Sequence, residues 1–260
     1  MLANMASRPN DGPASVLDNL KSDVLTGYWK PEQQLVFARL TDRYGTSVGV
    51  LREALQRLVE QGIVVTRANL GFQVAPVSVP DLEDLTEARC ELEALAIRRS
   101  IQNGDVSWEG RVLAANHVLA STPYTEDASV TTPSNAWLKA HAEFHEALIA
   151  ACPNKRIRST ASNFRDVAEI YRTWSIAVST SPRDMLTEHR QLCEAAVSRD
   201  EDLAESLIRK HISLTTANLI DALTKSETTV PQENSEKYTS DEHALPHRRD
   251  ASPKAIAGGP

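Results

Sequence analysis

Four histidines in the C-terminal half of the chain have the residue type and spacing of a metal site. His141 and His145 are four residues apart, so on a helix both imidazoles lie on one face, about 5–6 Å apart at Cβ. Such a pair commonly holds a metal through two nitrogens. His189 and His211 lie on later helical segments, and an antiparallel pair of helices would bring them to the same height. Four nitrogen ligands predict a divalent metal, with zinc preferred and nickel, iron or copper as alternatives.

The residues around these histidines give little support to catalysis. Glu143 does not directly follow the first histidine, where a zincin-type protease carries its base, and on a helix it projects away from the histidine face. The sequence contains no Gly-x-Ser-x-Gly elbow, phosphate-binding loop or dinucleotide-binding glycine motif. We therefore expect a protein that is not an enzyme, and keep a metalloenzyme built on the histidine cluster as an alternative.

The segments that carry the histidines have the apolar periodicity of helices joined by short links. This periodicity predicts six helices and an all-α antiparallel bundle over residues 77–225. The predicted helices span residues 81–103, 107–121, 135–151, 156–175, 183–199 and 201–223. Asp200 is placed to cap the last of them.

The N-terminal part of the chain has a different pattern. An amphipathic helix over residues 16–25 is followed by a short helix at 37–44 and by a third helix that Ser47 can cap. Two short β-branched or aromatic runs separated by a turn then predict a hairpin. This order predicts a winged helix-turn-helix over residues 15–76. From the order alone, a small α+β domain without a DNA-binding role stays open as an alternative. The fold class is therefore mainly α, with a winged helix-turn-helix before the bundle.

Composition and charge limit the possible partners. The 260 residues carry a net charge of −7, but residues 1–78 carry +1 and residues 79–225 carry −6, so the first segment is the one suited to a phosphate partner. No run of 18 apolar residues predicts a membrane span, and residues 1–14 lack a signal-type apolar core. Three scattered cysteines fit a reducing cytoplasm, where we expect the protein to act without a membrane partner. We interpret residues 1–14 as a flexible arm and residues 226–260 as a disordered tail.

Two sets of motifs resemble a known family of regulators. The run Leu-Arg-Glu-Ala-Leu-Gln-Arg-Leu at residues 51–58, followed by Gly-Ile-Val at 62–64 and Asn-Leu-Gly-Phe-Gln-Val at 69–74, resembles the DNA-binding domain of GntR transcription regulators. Arg-Cys-Glu-Leu-Glu at 89–93 and Phe-His-Glu-Ala-Leu at 144–148 resemble the FCD ligand-binding domain of the FadR-type subgroup. The resemblance covers about residues 16–223.

The resemblance implies a homodimeric regulator, most often a repressor, that binds double-stranded operator DNA through two winged heads. A small organic acid, often held by a metal in the bundle, would change the affinity for the operator. The family's metal site uses one Asp and three His. The three map to His145, His189 and His211, and the Asp position falls on His141. This departure lowers the negative charge at the metal and favours an anionic ligand.

One branch of the family that handles short dicarboxylates is similar in its histidine motif and in its helix-turn-helix spacing. Two rival interpretations of the chain stay open. In the first, the metal itself is the signal. In the second, the chain is a helical interaction protein whose winged domain binds protein.

The resemblance also indicates which residues would contact DNA and the effector. Relatives commonly carry Arg at the position of Ala38 and a polar or basic residue at Val48, so Arg52 is the remaining member of that trio. Val48 itself would suit a thymine methyl group. The predicted DNA-contacting residues are Arg52, Ser47, Arg43, Arg39, Val48, Arg67 and Gly71. The predicted ligand-contacting residues are Arg89, which suits a carboxylate, and Arg172 with Tyr171.

Overall fold

The computed structural model describes residues 13–126, 133–175 and 184–229, which form nine helices and two strands. The helices are α1 (Pro13–Leu25), α2 (Phe37–Tyr44), α3 (Val48–Glu60), α4 (Val79–Asn103), α5 (Val106–Ser121), α6 (Asn135–Ile149), α7 (Lys155–Ser175), α8 (Met185–Val197) and α9 (Glu201–Thr229). The strands are β1 (Val64–Arg67) and β2 (Gly71–Val74). We call α1 to β2 the head and α4 to α9 the bundle. The prediction of a winged helix-turn-helix followed by a helical domain is confirmed.

The helices of the head form where apolar residues repeat at helical spacing and where caps stop the chain. Ser47 caps α3 by accepting a hydrogen bond from the backbone N–H of Val50, as predicted. Gly45 ends α2 in the left-handed conformation, which makes the tight turn between α2 and α3. The core of the head includes Leu20, Val24, Leu51, Leu55 and Leu58.

The wing contains one more extended segment than the sequence predicts. β1 and β2 pair antiparallel, with Val64 opposite Val74. The segment before α2 also pairs with β2, because Leu35 N–H donates to the carbonyl of Phe72 at 2.9 Å and Gln34 bridges Gln73. This short segment follows Pro31 and has no alternating pattern, so its sequence indicates only a connection.

The bundle is held by a long central helix and by the side chains packed around it. α4 packs along α9 and also contacts α7 and α6. Trp108 on α5 is fully buried, and its indole N–H donates to the carbonyl of Ala147 on α6 at 2.9 Å. Asp200 caps α9 by accepting from Leu203 N–H, as predicted.

Two boundaries differ from the predicted ones. α9 continues to Thr229, past the predicted start of the tail at residue 226, because the added residues are polar but extend an existing helix. α1 begins at Pro13, inside the predicted arm. Residues 1–12, 127–132, 176–183 and 230–260, which include the rest of the predicted arm and the rest of the predicted tail, lie outside the described residues. Within the described ranges, no helix is both long enough and apolar enough to cross a membrane.

The head rests directly on α7. Ile170 of α7 belongs to the same buried cluster as the core of the head. The Thr173 hydroxyl donates to the carbonyl of Leu25 at 2.7 Å, and Lys21 pairs with Asp166. Helix α7 therefore belongs to both parts of the molecule.

Candidate metal centre and DNA-facing surface

The four predicted histidines meet in the interior of the bundle. His141 and His145 lie one turn apart on α6, His189 lies on α8 and His211 on α9. One potential ligand atom from each lies within 4.8 Å of the others, and all four residues are at most 4% exposed. Three helices thus deliver four imidazoles to one point.

The buried nitrogens fit a cation. Neither ring nitrogen of His141 or of His145 has a hydrogen-bond partner among the described residues, although buried polar atoms are normally paired. Burial lowers the pKa of both histidines well below the usual value, and nearby charges add to this, chiefly Arg172 for His141 and His211 for His145. Both rings are therefore neutral at pH 7 and keep a lone pair for a metal.

Acidic side chains lie near the Nδ1 atoms of two of the histidine rings. Glu188 Oε2 lies 2.9 Å from His211 Nδ1, a contact that leaves Nε2 of that ring as its ligand atom. Glu169 Oε1 lies 3.7 Å from His141 Nδ1, which is too far for a hydrogen bond. Trp137 stacks on the other side of His141, with ring centroids 4.7 Å apart.

Three buried arginines surround the cluster. Arg89 donates from Nε to Glu93 at 2.8 Å, and Arg165 Nε lies 3.6 Å from the other oxygen of the same carboxylate. Although burial opposes its ionisation, Arg89 and Arg165 hold the pKa of Glu93 below its usual value. Arg172 Nε lies 3.3 Å from Glu169.

Some of these guanidinium groups have unused donors. Nε and Nη2 of Arg165 and Nε of Arg172 are buried and lack a hydrogen-bond partner among the described residues. Unpaired buried donors cost about 1–3 kcal/mol each, more when charged. A planar carboxylate is the acceptor that fits a guanidinium best.

Sequence reasoning missed Arg165, Glu93 and Glu169. A signal for Arg165 exists, since it precedes Arg172 by seven residues and so lies on the same face of α7, which also buries Ala161 and Ala168. The two glutamates give no comparable signal, because charged residues at helical spacing usually mark a solvated face.

Tyr171 lies elsewhere than predicted. Its hydroxyl donates to the carboxylate of Asp81 and accepts from Ser78 N–H, and its ring packs against Leu82 and Leu219. Neighbouring residues on a helix point about 100° apart, so the side chain beside Arg172 faces the start of α4 and not the histidines. This corrects its assignment to the ligand pocket.

The head presents an exposed surface around the start of α3. Ser47, Val48, Arg39 and Arg52 are exposed, and the Arg52 guanidinium lies 5.1 Å from the Phe37 ring centroid. In the wing, Arg67 is exposed with its Nε 3.3 Å from Gln73 Oε1, and Gly71 has a φ of +77°.

Arg43 is committed to the interior of the head. It makes two hydrogen bonds to Asp23, at 2.6 and 2.9 Å, and its guanidinium stacks 3.4 Å above the Tyr28 ring. Asp23 also accepts from the Tyr44 hydroxyl. The structure therefore gives Arg43 an internal ion pair where the sequence predicted a contact with DNA.

Comparison with known proteins agrees with this architecture. The family described as "Bacterial regulatory proteins, gntR family" matches residues 14–74, and the FCD domain matches residues 84–214. The transcriptional regulator BphR of Paraburkholderia xenovorans, itself uncharacterized, is 34% identical over 76% of this chain and 81% of its own length. The repressor GlaR of Escherichia coli is 31% identical over 74% of this chain and 89% of its own length. The chain belongs to the GntR family.

Solved structures of GntR regulators show the same fold. McbR/YncC of E. coli superposes with a TM-score of 0.70 at 17% identity, over 81% of this chain and 98% of its own. A regulator from Rhodococcus sp. RHA1 gives 0.65 at 21% identity, over 81% and 98%. This GntR chain is thus a DNA-binding transcription regulator with an FCD effector domain, and the alternative of a metalloenzyme finds no support among its relatives.

Proposed function

We propose that this GntR regulator is a homodimeric repressor that a small carboxylate, bound beside a divalent metal in the bundle, releases from its operator. The observation that carries the proposal is the set of four buried imidazoles within 4.8 Å. Beside it, the buried guanidinium groups of Arg165 and Arg172 form ion pairs with carboxylates at 3.3–3.6 Å but keep donors that make no hydrogen bond among the described residues. The neutral imidazole nitrogens suit a metal cation, and the guanidinium donors suit an anion. The site as a whole therefore fits a metal and an anion bound together better than it fits one of them alone.

The DNA side of the proposal rests on the exposed start of α3. Arg52 and Arg39 are exposed cations there, and Val48 offers a methyl-sized apolar group. In a two-fold dimer, two α3 helices would enter successive major grooves about 34 Å apart, which corresponds to a pseudo-palindromic operator. Ser47, Arg67 and the backbone at Gly71 would contact the phosphates. Arg43 is left out of this set because of its ion pair with Asp23.

His141, His145, His189 and His211 would hold the metal, with zinc favoured by four nitrogen donors. Once bound, the cation would supply positive charge to an oxygen ligand of the effector. Glu188 would fix the orientation of the His211 ring, and Glu169 would do the same for His141 after a small movement.

Arg172 and Arg165 would bind the carboxylate of the effector. The two arginines lie two turns apart on α7, with Glu169 between them along the helix axis. One ligand with two carboxylates could therefore reach both guanidinium groups. Arg89 already donates to Glu93, and would act by keeping that carboxylate away from the ligand. A dicarboxylate is therefore the effector class that uses the donors best.

The Arg172→Ala variant tests this assignment. We expect its affinity for a dicarboxylate to fall by about 10–100-fold, since hydrogen bonds to charged groups contribute roughly 1.5–3 kcal/mol. Titration calorimetry of the zinc-loaded protein with the dicarboxylates from malonate to adipate measures the loss. Arg190→Ala, which removes an exposed arginine of α8, is the matched control and should leave the affinity unchanged. Equal affinities in the two variants would contradict a role for Arg172.

Helix α7 offers a direct route from the effector to the head. Arg172, whose charge helps to lower the pKa of His141, is followed directly by Thr173, whose hydroxyl donates to the carbonyl of Leu25. The fit is close, because a Cβ added to Gly27 of the head would lie 2.7 Å from Thr173 Cγ2. A carboxylate that draws Arg172 away from Glu169 would therefore move or stiffen the segment on which the head rests.

The Thr173→Val variant should uncouple the two sites. It removes the hydroxyl that donates to Leu25 but keeps the shape of the side chain, and such a bond contributes about 0.5–1.5 kcal/mol. We expect affinity for the carboxylate to stay within twofold, while the change in DNA affinity that the carboxylate causes shrinks by about 2–10-fold. Fluorescence anisotropy with operator DNA, with and without the carboxylate, measures this. Ser159→Ala, whose hydroxyl bonds only within α7, is the control, and an unchanged response in Thr173→Val would refute the route.

A mobility-shift titration against the DNA upstream of the protein's own gene tests the proposal as a whole. Selective binding over scrambled DNA that a dicarboxylate weakens in zinc-loaded protein supports it. Loss of DNA binding, or its gain, on chelation alone with no response to any carboxylate would favour the alternative in which the metal is the signal. Equal binding to scrambled DNA would overturn the operator assignment.

A further inference from the structure

The outward face of α5 is unusual for a helix on an acidic domain. Its inward face buries Trp108, Val112 and Leu119, as expected for an amphipathic helix. The opposite face should then be polar. Instead, Val106 is 80% exposed, Leu113 51% and Val118 49%.

This face also lacks charge. The outward stripe runs through Val106, Gly110, Leu113, Ala114 and His117, and we call it the α5 face. The whole helix has two residues with permanent charge, Glu109 and Arg111, and Glu109 is paired with Arg199 of the turn before α9. A strip without permanently charged residues therefore extends along about three turns of helix.

We infer that the α5 face is the contact between the two bundles of the dimer, with a second copy of this chain as its occupant. The inference rests on the proposed function as a dimer, and it names the surface through which the two copies would associate. In a two-fold contact each group near the axis meets its own copy, so charges placed there repel each other. An uncharged face is the one on which two strongly acidic domains can approach.

The rest of the bundle supports this choice of occupant. Residues 79–225 carry a net charge of −6. The exposed positions of α4 include Glu83, Asp84, Glu87 and Glu91, so two copies of that helix would repel. A basic partner would be attracted to the acidic residues of α4, whereas the α5 face has no acidic residue that could bind it.

Gly110 gives the contact a shape. A Cβ placed on it would have no atom within 4 Å, so the space beside Gly110 is open. We call the gap left by its missing side chain the notch. In an antiparallel crossing of two α5 helices, Leu113 of each copy would fill the notch at Gly110 of the other, and Val106 would lie against His117. The contact is thus complementary to itself, as a two-fold interface must be.

The expected area sets the strength of the contact. The 16 residues of α5 span about 24 Å, and a helix is about 10 Å wide, so the α5 face has an outline of roughly 240 Å². A standard stable interface buries roughly 800 Å² per partner, which is about three times as much. The α5 face alone should therefore give an association that is concentration-dependent, and bound DNA would strengthen it by holding two heads together.

Sedimentation equilibrium of the full chain from 1 to 100 µM, with two substitutions in the notch, tests the inference. Leu113→Glu and Gly110→Leu should each weaken association at least about 100-fold, the first by burying two like charges and the second by filling the notch. Both positions are exposed, so circular dichroism should match the wild type and thermal melting should show no loss of stability. Leu203→Glu, which alters a 46% exposed leucine on α9, is the matched control and should remain dimeric.

The outcomes separate this inference from the proposed function. If both notch variants associate like the wild type, the α5 face is not the contact, even if the protein still binds a palindromic operator as a dimer. A wild type that is monomeric over the whole range without DNA also overturns it. Conversely, notch variants that are monomeric, bind zinc and bind half of the operator support the assignment. A dimer sensitive to both substitutions but without DNA selectivity would instead refute the proposed function.

Discussion

Replacing His145 by alanine should weaken zinc binding by at least about 100-fold. Mutating a residue that only hydrogen-bonds to a metal ligand already lowers metal affinity by about 10–100-fold, and this substitution removes the ligand itself. The ring centroid of His145 lies 4.6 Å from that of His141, 5.1 Å from that of His211 and 5.6 Å from that of His189. The loss should also abolish the effect of the carboxylate on DNA binding.

Competition with a chromophoric zinc chelator measures this change, and metal analysis of the purified protein gives the stoichiometry. His117→Ala, which removes an exposed histidine of α5, is the control and should keep full affinity for zinc.

The zinc affinity of Glu188→Gln should lie between those of His145→Ala and His117→Ala, since this substitution weakens only the bond that orients His211. His145→Gln keeps most of the side-chain volume, so it separates loss of metal from loss of packing. A His145 variant that binds zinc like the wild type would refute the metal centre.

Arg52→Ala should reduce operator affinity strongly and selectively. A good contact between arginine and a base contributes about 1–3 kcal/mol of discrimination, so two heads should lose roughly 30-fold to more than 1,000-fold. Arg52 is exposed near the start of α3, and its stacking with Phe37 leaves its donors free to reach outward. If it contacts a base edge, affinity for scrambled DNA should change much less than affinity for the operator.

The same helix supplies the control. Arg57 lies about one and a half turns further along α3 and pairs with Glu53 at 2.9 Å. It lines a cleft between the head and the bundle, together with Leu17 of α1 and Asn163 of α7. Arg57→Ala removes the same charge but should cost less than threefold. Anisotropy titrations at several salt concentrations measure both variants. Equal losses for the two substitutions, on operator and scrambled DNA alike, would mean that Arg52 contributes charge without recognition.

Periodic and capping signals predicted most of the fold. The six helices of the bundle lie within a few residues of their predicted bounds, because each has an apolar stripe and a polar or Pro-containing link. Ser47 and Asp200 cap the helices that the sequence assigns to them. The histidine cluster was predictable for the same reason, since the i,i+4 spacing of His141 and His145 fixes their relative position once α6 forms.

Side-chain partners far apart in the chain were not predictable. Arg43 looks available for DNA in the sequence, but Asp23, twenty residues earlier, binds it in the folded head. Tyr171 and Asp81 are ninety residues apart, and only the packing of α7 against the start of α4 brings them together. The buried pairing of Arg89 with Glu93 is equally hidden, since the same spacing is common on exposed helices.

The position of Ile170 within the core of the head limits how such regulators can diversify. A cut at the connector between Val74 and α4 looks like a natural boundary for exchanging heads, yet it would leave behind a side chain that completes the core of the head. A transplanted head would meet a foreign α7, with its own side chains at the positions of Asp166, Ile170 and Thr173. Recombination between family members should therefore succeed chiefly when these interface residues travel together, so that DNA specificity and effector specificity are inherited as a linked pair.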